Sequence, residues 1–200
     1  TQKRYFEAYL WGAAGQLPDE SRIFGHEYAP GITAGDDIFT VMSSDIFRGS
    51  AFALGYVNPD NLRGMNVWSD MYKVIRKANL MLARMDECQD MTALDRRNYT
   101  GYIHFLRGYA YYHILMTCGP AILVGDEIFE SNLDGPAYNT YRATYDETVE
   151  YICSELETAA AYLPLKASIA QFERPTKGAA YALIARLRLH AASPLFNGTS

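Results

Sequence analysis

Hydrophobic residues between Trp68 and Cys118 follow two long helical patterns separated by a short polar turn. In each pattern they recur at steps of three and four residues, which places them on one face of a helix. The first pattern is Trp68, Met71, Tyr72, Ile75, Ala78, Asn79, Leu82 and Met85. The second is Tyr99, Tyr102, Ile103, Leu106, Tyr109, Ala110, His113 and Ile114. The sequence therefore predicts an antiparallel helix pair over residues 66–118.

Polar and helix-breaking residues fix the bounds of this pair. Asp90, Thr92 and Asp95 offer capping groups at the start of the second helix. Gly119–Pro120 is expected to end it, because glycine accepts a left-handed conformation and proline cannot continue a helix.

A second helix pair is predicted over residues 144–193. Thr144 precedes Glu147 by three residues, which is the spacing of a capping box. The first helix of the pair should stop at Leu163–Pro164. The second should run from Pro175–Thr176 to the break at Ser193–Pro194.

The two pairs are organised alike. Each has a long first helix, a polar turn and a second helix with an arginine in its middle, Arg107 or Arg186. Stacked hairpins of this kind bury their faces against each other. We expect both guanidinium groups to be buried and to hold neighbouring hairpins together, since a buried guanidinium needs fixed acceptors.

Residues 16–65 lack a helical pattern, whereas a short first helix is expected before Gly12–Gly15. The irregular stretch is rich in glycine, aspartate, asparagine and aromatic residues. A long connection in a compact domain is usually functional or disordered. Its Ile, Phe and Tyr content argues against disorder.

Composition narrows the class of protein. Two hundred residues, 49% of them hydrophobic, suffice for a single domain over 1–200. The net charge of −5 and the absence of a Lys/Arg cluster argue against a nucleic-acid partner. No apolar run reaches the length of a membrane span.

No catalytic motif, cofactor motif or metal-binding spacing is visible. The four histidines form no close pair, and His104 and His113 fit a helix interior better than a metal site. Cys88, Cys118 and Cys153 are expected to be buried free thiols.

Four segments, taken in order, resemble the SusD/RagB family of outer-membrane nutrient-binding lipoproteins. They are W-S-D-M-Y-K-V-I-R-K-A-N from Trp68, F-L-R-G-Y-A-Y-Y-H-I-L-M-T-C-G-P-A-I-L-V from Phe105, Y-R-A-T-Y-D-E-T-V-E-Y-I-C-S-E-L-E-T-A-A-A-Y-L-P from Tyr141, and R-P-T-K-G-A-A-Y-A-L-I-A-R-L-R-L-H-A-A-S-P-L-F-N-G from Arg174. The resemblance covers about 66–198, which suggests the N-terminal part of a longer protein. Gly108 stands where the family usually has alanine, and Cys118 where it has an aromatic residue.

The resemblance implies an all-α fold of tetratricopeptide-like helical hairpins, an α–α superhelix with long irregular loops. It also implies a protein on the outward face of the outer membrane of Bacteroidota, tethered by an N-terminal lipid that this chain does not include. Such proteins cap a SusC-like TonB-dependent transporter and capture glycans or peptides. They bind nutrients and are not enzymes, and the resemblance implies no cofactor.

The candidate glycan-binding residues lie at 36–68. Glycans need flat aromatic faces for their apolar side and planar polar groups for paired hydroxyls. The candidates are Asp36, Asp37, Phe47, Arg48, Phe52, Tyr56, Asn58, Asn61 and Trp68. Three alternatives stay open: Asp36–Asp37 as a turn, the loop aromatics as anchors, and Trp68 as a core residue on the apolar face of its helix.

Two other functions compete with glycan capture. A generic tetratricopeptide-like scaffold would bind a peptide or protein in a concave groove, but regular arrays lack an insertion as long as 16–65. A helical glycoside-processing enzyme would need two opposed carboxyl groups. The adjacent pair Asp36–Asp37 does not provide that arrangement, which makes an enzyme the weakest of the three hypotheses.

Overall fold

The computed structural model describes residues 2–19, 35–36, 51–52, 54–58, 60–61, 66–129, 140–169 and 172–197. Within them the chain forms helices and turns but no strand. The helices are α1 (Lys3–Ala14), α2 (Trp68–Arg84), α3 (Ala93–Cys118), α4 (Tyr145–Tyr162), α5 (Lys177–Ala191) and the short α6 (Pro194–Asn197). A 3₁₀ turn, Met85–Glu87, extends α2. The expected all-α fold is confirmed.

Local capping sets where the long helices begin. Thr92 accepts a hydrogen bond from the Asp95 N–H at 3.1 Å, and the Asp95 carboxylate accepts one from the Thr92 N–H at 3.0 Å. Thr144 and Glu147 repeat this capping box at 3.2 and 2.8 Å. At the other end of α3, Gly119 has a φ of 78°, a backbone angle that residues other than glycine rarely adopt. Local capping therefore accounts for the starts of α3 and α4 and for the end of α3.

The core lies along α3, which buries side chains around its whole circumference. On its sides it packs against α2 and α4, and α5 in turn packs on α4. The buried α3 residues are Tyr99, Gly101, Tyr102, Ile103, Leu106, Arg107, Gly108, Ala110, Tyr111, Tyr112, His113, Ile114 and Leu115. By contrast, α5 buries only Ala180, Leu183 and Leu187. Burial therefore decreases from the middle of the hairpin stack towards α5.

Two glycines let α3 approach α4 closely. A Cβ added to Gly101 would lie 3.0 Å from the backbone nitrogen of Leu163, and one added to Gly108 would lie 3.2 Å from the Cβ of Glu155. Both distances are shorter than ordinary van der Waals contact. The glycine at position 108 therefore fits the local helix spacing.

A buried ionic cluster links α2, α3 and α4. Arg107, only 3% exposed, donates to both oxygens of Glu155 at 2.7 Å, to Asn79 Oδ1 at 2.8 Å and to Asp126 at 2.6 Å. Burial opposes ionisation of Glu155, but hydrogen bonds from His104 and Arg107 outweigh it and lower its pKa. The predicted structural role of Arg107 is confirmed.

The prediction of a buried Arg186 is wrong. This side chain is exposed, and its guanidinium carbon lies 5.8 Å from the ring centroid of Tyr112 on α3. The reason is that α5 contacts the stack through Leu183 and Leu187, and position 186 falls beside that contact rather than inside it.

The segment after α3 is irregular up to Phe129, but helix side chains hold it. Tyr72 donates its hydroxyl to the Ile122 carbonyl at 2.9 Å and accepts from the Ile122 N–H at 2.7 Å. Asn79 donates to the carbonyls of Gly125 and Glu127 at 2.9 and 2.8 Å. Burial raises the pKa of Tyr72 to about 12, so it stays a neutral donor at physiological pH.

All three cysteines are free thiols. Cys88 and Cys153 are buried as expected, but Cys118 is only half-buried because it sits at the end of α3. Burial also raises the pKa of the Cys153 thiol, which favours its neutral form.

Candidate functional site

The structure describes part of the region that the sequence predicts to bind a ligand. Asp36 is exposed, and Phe52, Tyr56, Asn58 and Asn61 are placed. The other three loop candidates, Asp37, Phe47 and Arg48, lie outside the described residues.

Residues 51–52 and 54–56 belong to a tight turn that presents two aromatic side chains. The Gly55 N–H donates to the Phe52 carbonyl at 2.9 Å, and the Tyr56 N–H donates to the Ala51 carbonyl at 2.8 Å. Gly55 has a φ of 73°, which this turn geometry requires and which favours glycine. Phe52 is 41% exposed and Tyr56 is 56% exposed. We call residues 51–52 and 54–56 the aromatic turn.

Asn58 and Asn61 close the next turn. The side-chain oxygen of Asn58 accepts from the N–H groups of Asp60 and Asn61 at 3.0 and 2.9 Å. Asn58 and Asn61 also exchange backbone hydrogen bonds of 3.2 and 3.0 Å. The side-chain oxygen of Asn58 therefore holds the shape of this loop, and that role competes with binding a ligand.

Trp68 is half-buried at the first position of α2. The Tyr72 ring lies 4.9 Å from it, and the Arg142 guanidinium carbon lies 4.4 Å from its ring centroid. Arg142 also donates to the Cys118 carbonyl at 2.9 Å. These contacts place the indole in the packing between α2 and the start of α4, which favours the core alternative for Trp68.

A groove that sequence reasoning did not find lies between α1, α3 and the loop before α5. Its volume is about 720 Å³. It is lined by Leu10, Trp11, Ala14, Leu17, Tyr102, Phe105, Leu106, Tyr109, Ile169, Phe172, Glu173, Arg174 and Pro175. We call it the α1–α3 groove. Its residues come from three distant stretches, and only the periodicity of α1 and α3 hinted at a shared surface.

One cation lies among the aromatic side chains of the α1–α3 groove. The Arg174 guanidinium carbon is 4.7 Å from the Trp11 ring centroid and 5.9 Å from that of Tyr102. Nearby, the Tyr99 hydroxyl donates to Glu7, and burial together with this carboxylate raises the tyrosine pKa. Glu7 thus accepts a hydrogen bond beside the groove, and Arg174 is the cation among the residues that line it.

The described part of the chain holds neither a cluster of metal-ligating side chains nor a membrane-spanning helix. No group of three or more His, Cys, Asp or Glu side chains is arranged there to hold a metal ion. None of the helices described above combines the length and apolar character needed to cross a bilayer.

Comparison with known families decides the relationship. A family model named SusD-like, "Starch-binding associating with outer membrane", matches residues 35–189. The chain belongs to the SusD-like family. This membership confirms the resemblance found in the four helical segments. No curated protein sequence matches the chain.

Solved SusD-like structures share the fold. A SusD-like protein from Bacteroides fragilis superposes with a TM-score of 0.72 at 22% identity, over 94% of this chain and 35% of that one. Surface glycan-binding protein A from Bacteroides uniformis gives 0.72 at 21% identity, over 94% and 42%. The protein of that name from Bacteroides thetaiotaomicron, in complex with laminarihexaose, gives 0.66 at 16% identity, over 95% and 39%.

The chain matches only part of each solved structure, which limits the properties that the comparison assigns to it. The chain spans 35% to 42% of the length of the first two of these structures. At such low identity the likeness shows the helical-hairpin fold and leaves ligand and partners to be argued from the chain itself.

Proposed function

We propose that this chain is the helical scaffold part of a cell-surface glycan-binding protein of an outer-membrane uptake system. The observation that carries the proposal is the aromatic turn. It exposes the rings of Phe52 and Tyr56 to solvent within the family-matched range 35–189. Exposed aromatic rings suit the apolar C–H faces of sugar rings. Two SusD-like structures of the same fold carry the name surface glycan-binding protein, which supports this ligand class.

Affinity electrophoresis on a panel of neutral polysaccharides tests the proposal. We expect one glycan to slow the protein, and the double variant Phe52→Ala/Tyr56→Ala to abolish the slowing. Tyr181→Ala is the matched control, because this tyrosine is 53% exposed on α5, far along the chain from the aromatic turn. Retardation that survives the double variant, or that Tyr181→Ala removes equally, would argue against a site at the aromatic turn. Retardation by no glycan would favour a peptide ligand.

We further propose that the protein works with a SusC-like TonB-dependent transporter at the cell surface, held by an N-terminal lipid. Family membership supports this partner and location. Fractionation of cells with the tagged protein gives the test: it should enter the outer-membrane fraction and co-purify with a TonB-dependent channel. Recovery with cytosolic partners instead would favour the generic scaffold.

Capture without catalysis is the third part of the proposal. Glycoside hydrolysis needs two opposed carboxyl groups, one of them free to take up a proton. The buried carboxylate Glu155 is engaged by Arg107 and His104, and its lowered pKa makes it a poor acid. A reducing-end assay on a retarded glycan should therefore show no release of new ends, and release would overturn this point.

A further inference from the structure

The α1–α3 groove has the size and lining of a small-ligand site. Its volume of about 720 Å³ lies within the range of ligand pockets in proteins, roughly 300–1,000 Å³. Aromatic side chains from α1, α3 and the loop before α5 form its walls, and the charged members of the lining are Glu173 and Arg174. Largely apolar walls with a few polar groups are the usual composition of a pocket that orients a ligand.

Arg174 is held in place inside this groove. It is half-buried, and its guanidinium lies over the rings of Trp11 and Tyr102. Those two rings are themselves in contact, with centroids 5.6 Å apart. Within the described ranges, the contacts of the Arg174 guanidinium are with these two rings. A planar guanidinium fixed by stacking keeps its N–H edge for a carboxylate.

We propose that the α1–α3 groove is a second saccharide site, specific for an acidic sugar unit, a hexuronate within an oligosaccharide. The carboxylate of the sugar would pair with Arg174. Glu173, exposed at the rim, would accept hydrogen bonds from the sugar hydroxyls. Phe172, 84% exposed, and the ring of Tyr109 would cover the apolar C–H face.

The chemistry of the groove separates this ligand from others. A fatty acid would pair with Arg174 but offer no hydroxyl groups to Glu173, and a free phosphate would not use the aromatic walls. The net charge of −5 repels anions at long range, but at 0.15 M salt this repulsion is screened over about 8 Å. Contact with Arg174 therefore controls binding at physiological salt.

Calorimetric titration of the purified protein with a matched pair of trisaccharides gives the first test. We expect the galacturonic acid trimer to bind at least about tenfold more tightly than the galactose trimer of the same linkage, since charge-assisted hydrogen bonds are about twice as strong as neutral ones. Equal binding of the two trimers, or no binding of the acidic one at millimolar concentration, would overturn the proposal.

Two arginine variants locate the contact. Arg174→Gln should weaken binding of the acidic trimer at least about tenfold. Arg4→Gln removes the same charge from a guanidinium that stacks on Tyr5 outside the groove, and it should leave the affinity unchanged. Equal effects of both variants would reduce the interaction to general electrostatics and contradict the assignment.

Two further measurements locate the ligand in the groove without relying on a variant that could misfold. Phe172→Ala alters an exposed side chain, so it should weaken binding several-fold without changing the unfolding midpoint. The chain has two tryptophans, so Trp68→Phe leaves Trp11 as the only indole. Binding of the acidic trimer should then change Trp11 fluorescence, and an unchanged spectrum at saturation would exclude the groove.

The test also separates this site from the aromatic turn. The double variant Phe52→Ala/Tyr56→Ala should bind the acidic trimer as well as the unaltered protein does. Loss of that binding would assign the sugar acid to the aromatic turn and overturn the second site. Intact binding with no retardation on neutral polysaccharides would support the groove while counting against the proposed neutral-glycan function.

Discussion

At the scale of single residues, Arg107 shows how strongly one buried charge can constrain a helical stack. Its guanidinium contacts groups from α2, from α4 and from the segment after α3. Arg188 makes a similar pair with Glu150 between α5 and α4, but both of those side chains are largely exposed. A comparison of the two Arg–Glu pairs therefore shows how burial changes the contribution of an ion pair to stability.

We predict that Arg107→Met lowers the free energy of unfolding by about 3 kcal/mol, because it leaves Glu155 buried without a cation. Arg188→Met should lower it by less than about 1 kcal/mol, as is typical of exposed pairs. Urea unfolding at pH 7 measures both changes. The double variant Arg107→Met/Glu155→Leu should lose less than Arg107→Met alone, since no unpaired carboxylate remains. Equal losses in the two single variants would contradict this view.

Asp95 gives a second prediction at this scale, one that depends on pH. The hydrogen bond from Lys3 and those from Thr92 lower its pKa to about 2 from an ordinary value of 3.8. A lowered folded-state pKa contributes stability above the unfolded value and loses it as pH falls towards 2. Asp95→Asn should therefore lower the free energy of unfolding by on the order of 1 kcal/mol at pH 7 and by much less at pH 2.

Urea unfolding at the two pH values checks this dependence. Asp86→Asn is the control, because Asp86 pairs with Arg96 while fully exposed, and it should change stability little at either pH. If Asp95→Asn lowers the free energy of unfolding equally at both pH values, the geometry of the helix cap, and not the charge of Asp95, accounts for its contribution to stability.

At the scale of elements, the sequence predicts the helices well because their signals are local. The capping boxes at Thr92 and Thr144 depend on residues three positions apart, so they can be found without tertiary information. The burial of Arg186 was wrongly predicted because the face that α5 buries depends on where α4 lies. The α1–α3 groove was missed for the same reason, since Trp11 and Arg174 meet only in the folded chain.

Helix spacing yields a prediction about glycine. Gly101→Ala should destabilise the protein by about 1–3 kcal/mol, because the new methyl group would meet backbone of Leu163 at 3.0 Å. This exceeds the gain of about 1 kcal/mol in helix propensity. Gly178→Ala on α5 is the matched control: its nearest contact would be 3.7 Å, so stability should rise by about 0.5–1 kcal/mol. Thermal unfolding of both variants decides, and a stabilising Gly101→Ala would refute the close-approach argument.

At the scale of the whole molecule, the helices form a stack in which consecutive long helices from α2 to α5 pack on each other. Stability in such arrays is the sum of local terms and interfaces between neighbours. α3 buries side chains around its circumference, whereas α5 buries only Ala180, Leu183 and Leu187. The described helices should therefore differ in how readily they open.

Native-state hydrogen exchange measures that difference. We predict that amides of α3 exchange only through global unfolding, whereas amides of α5 exchange through a local opening of lower free energy. Leu187→Ala should accelerate exchange in both helices, because it destabilises the native state relative to the local opening of α5 and to the unfolded chain alike. Ile103→Ala should accelerate exchange in α3 alone by lowering global stability about 2–4 kcal/mol, because the core around Ile103 persists when α5 opens locally. Equal opening free energies for α3 and α5 would mean that the stack unfolds as one unit. Local stability would then not follow the burial of each helix.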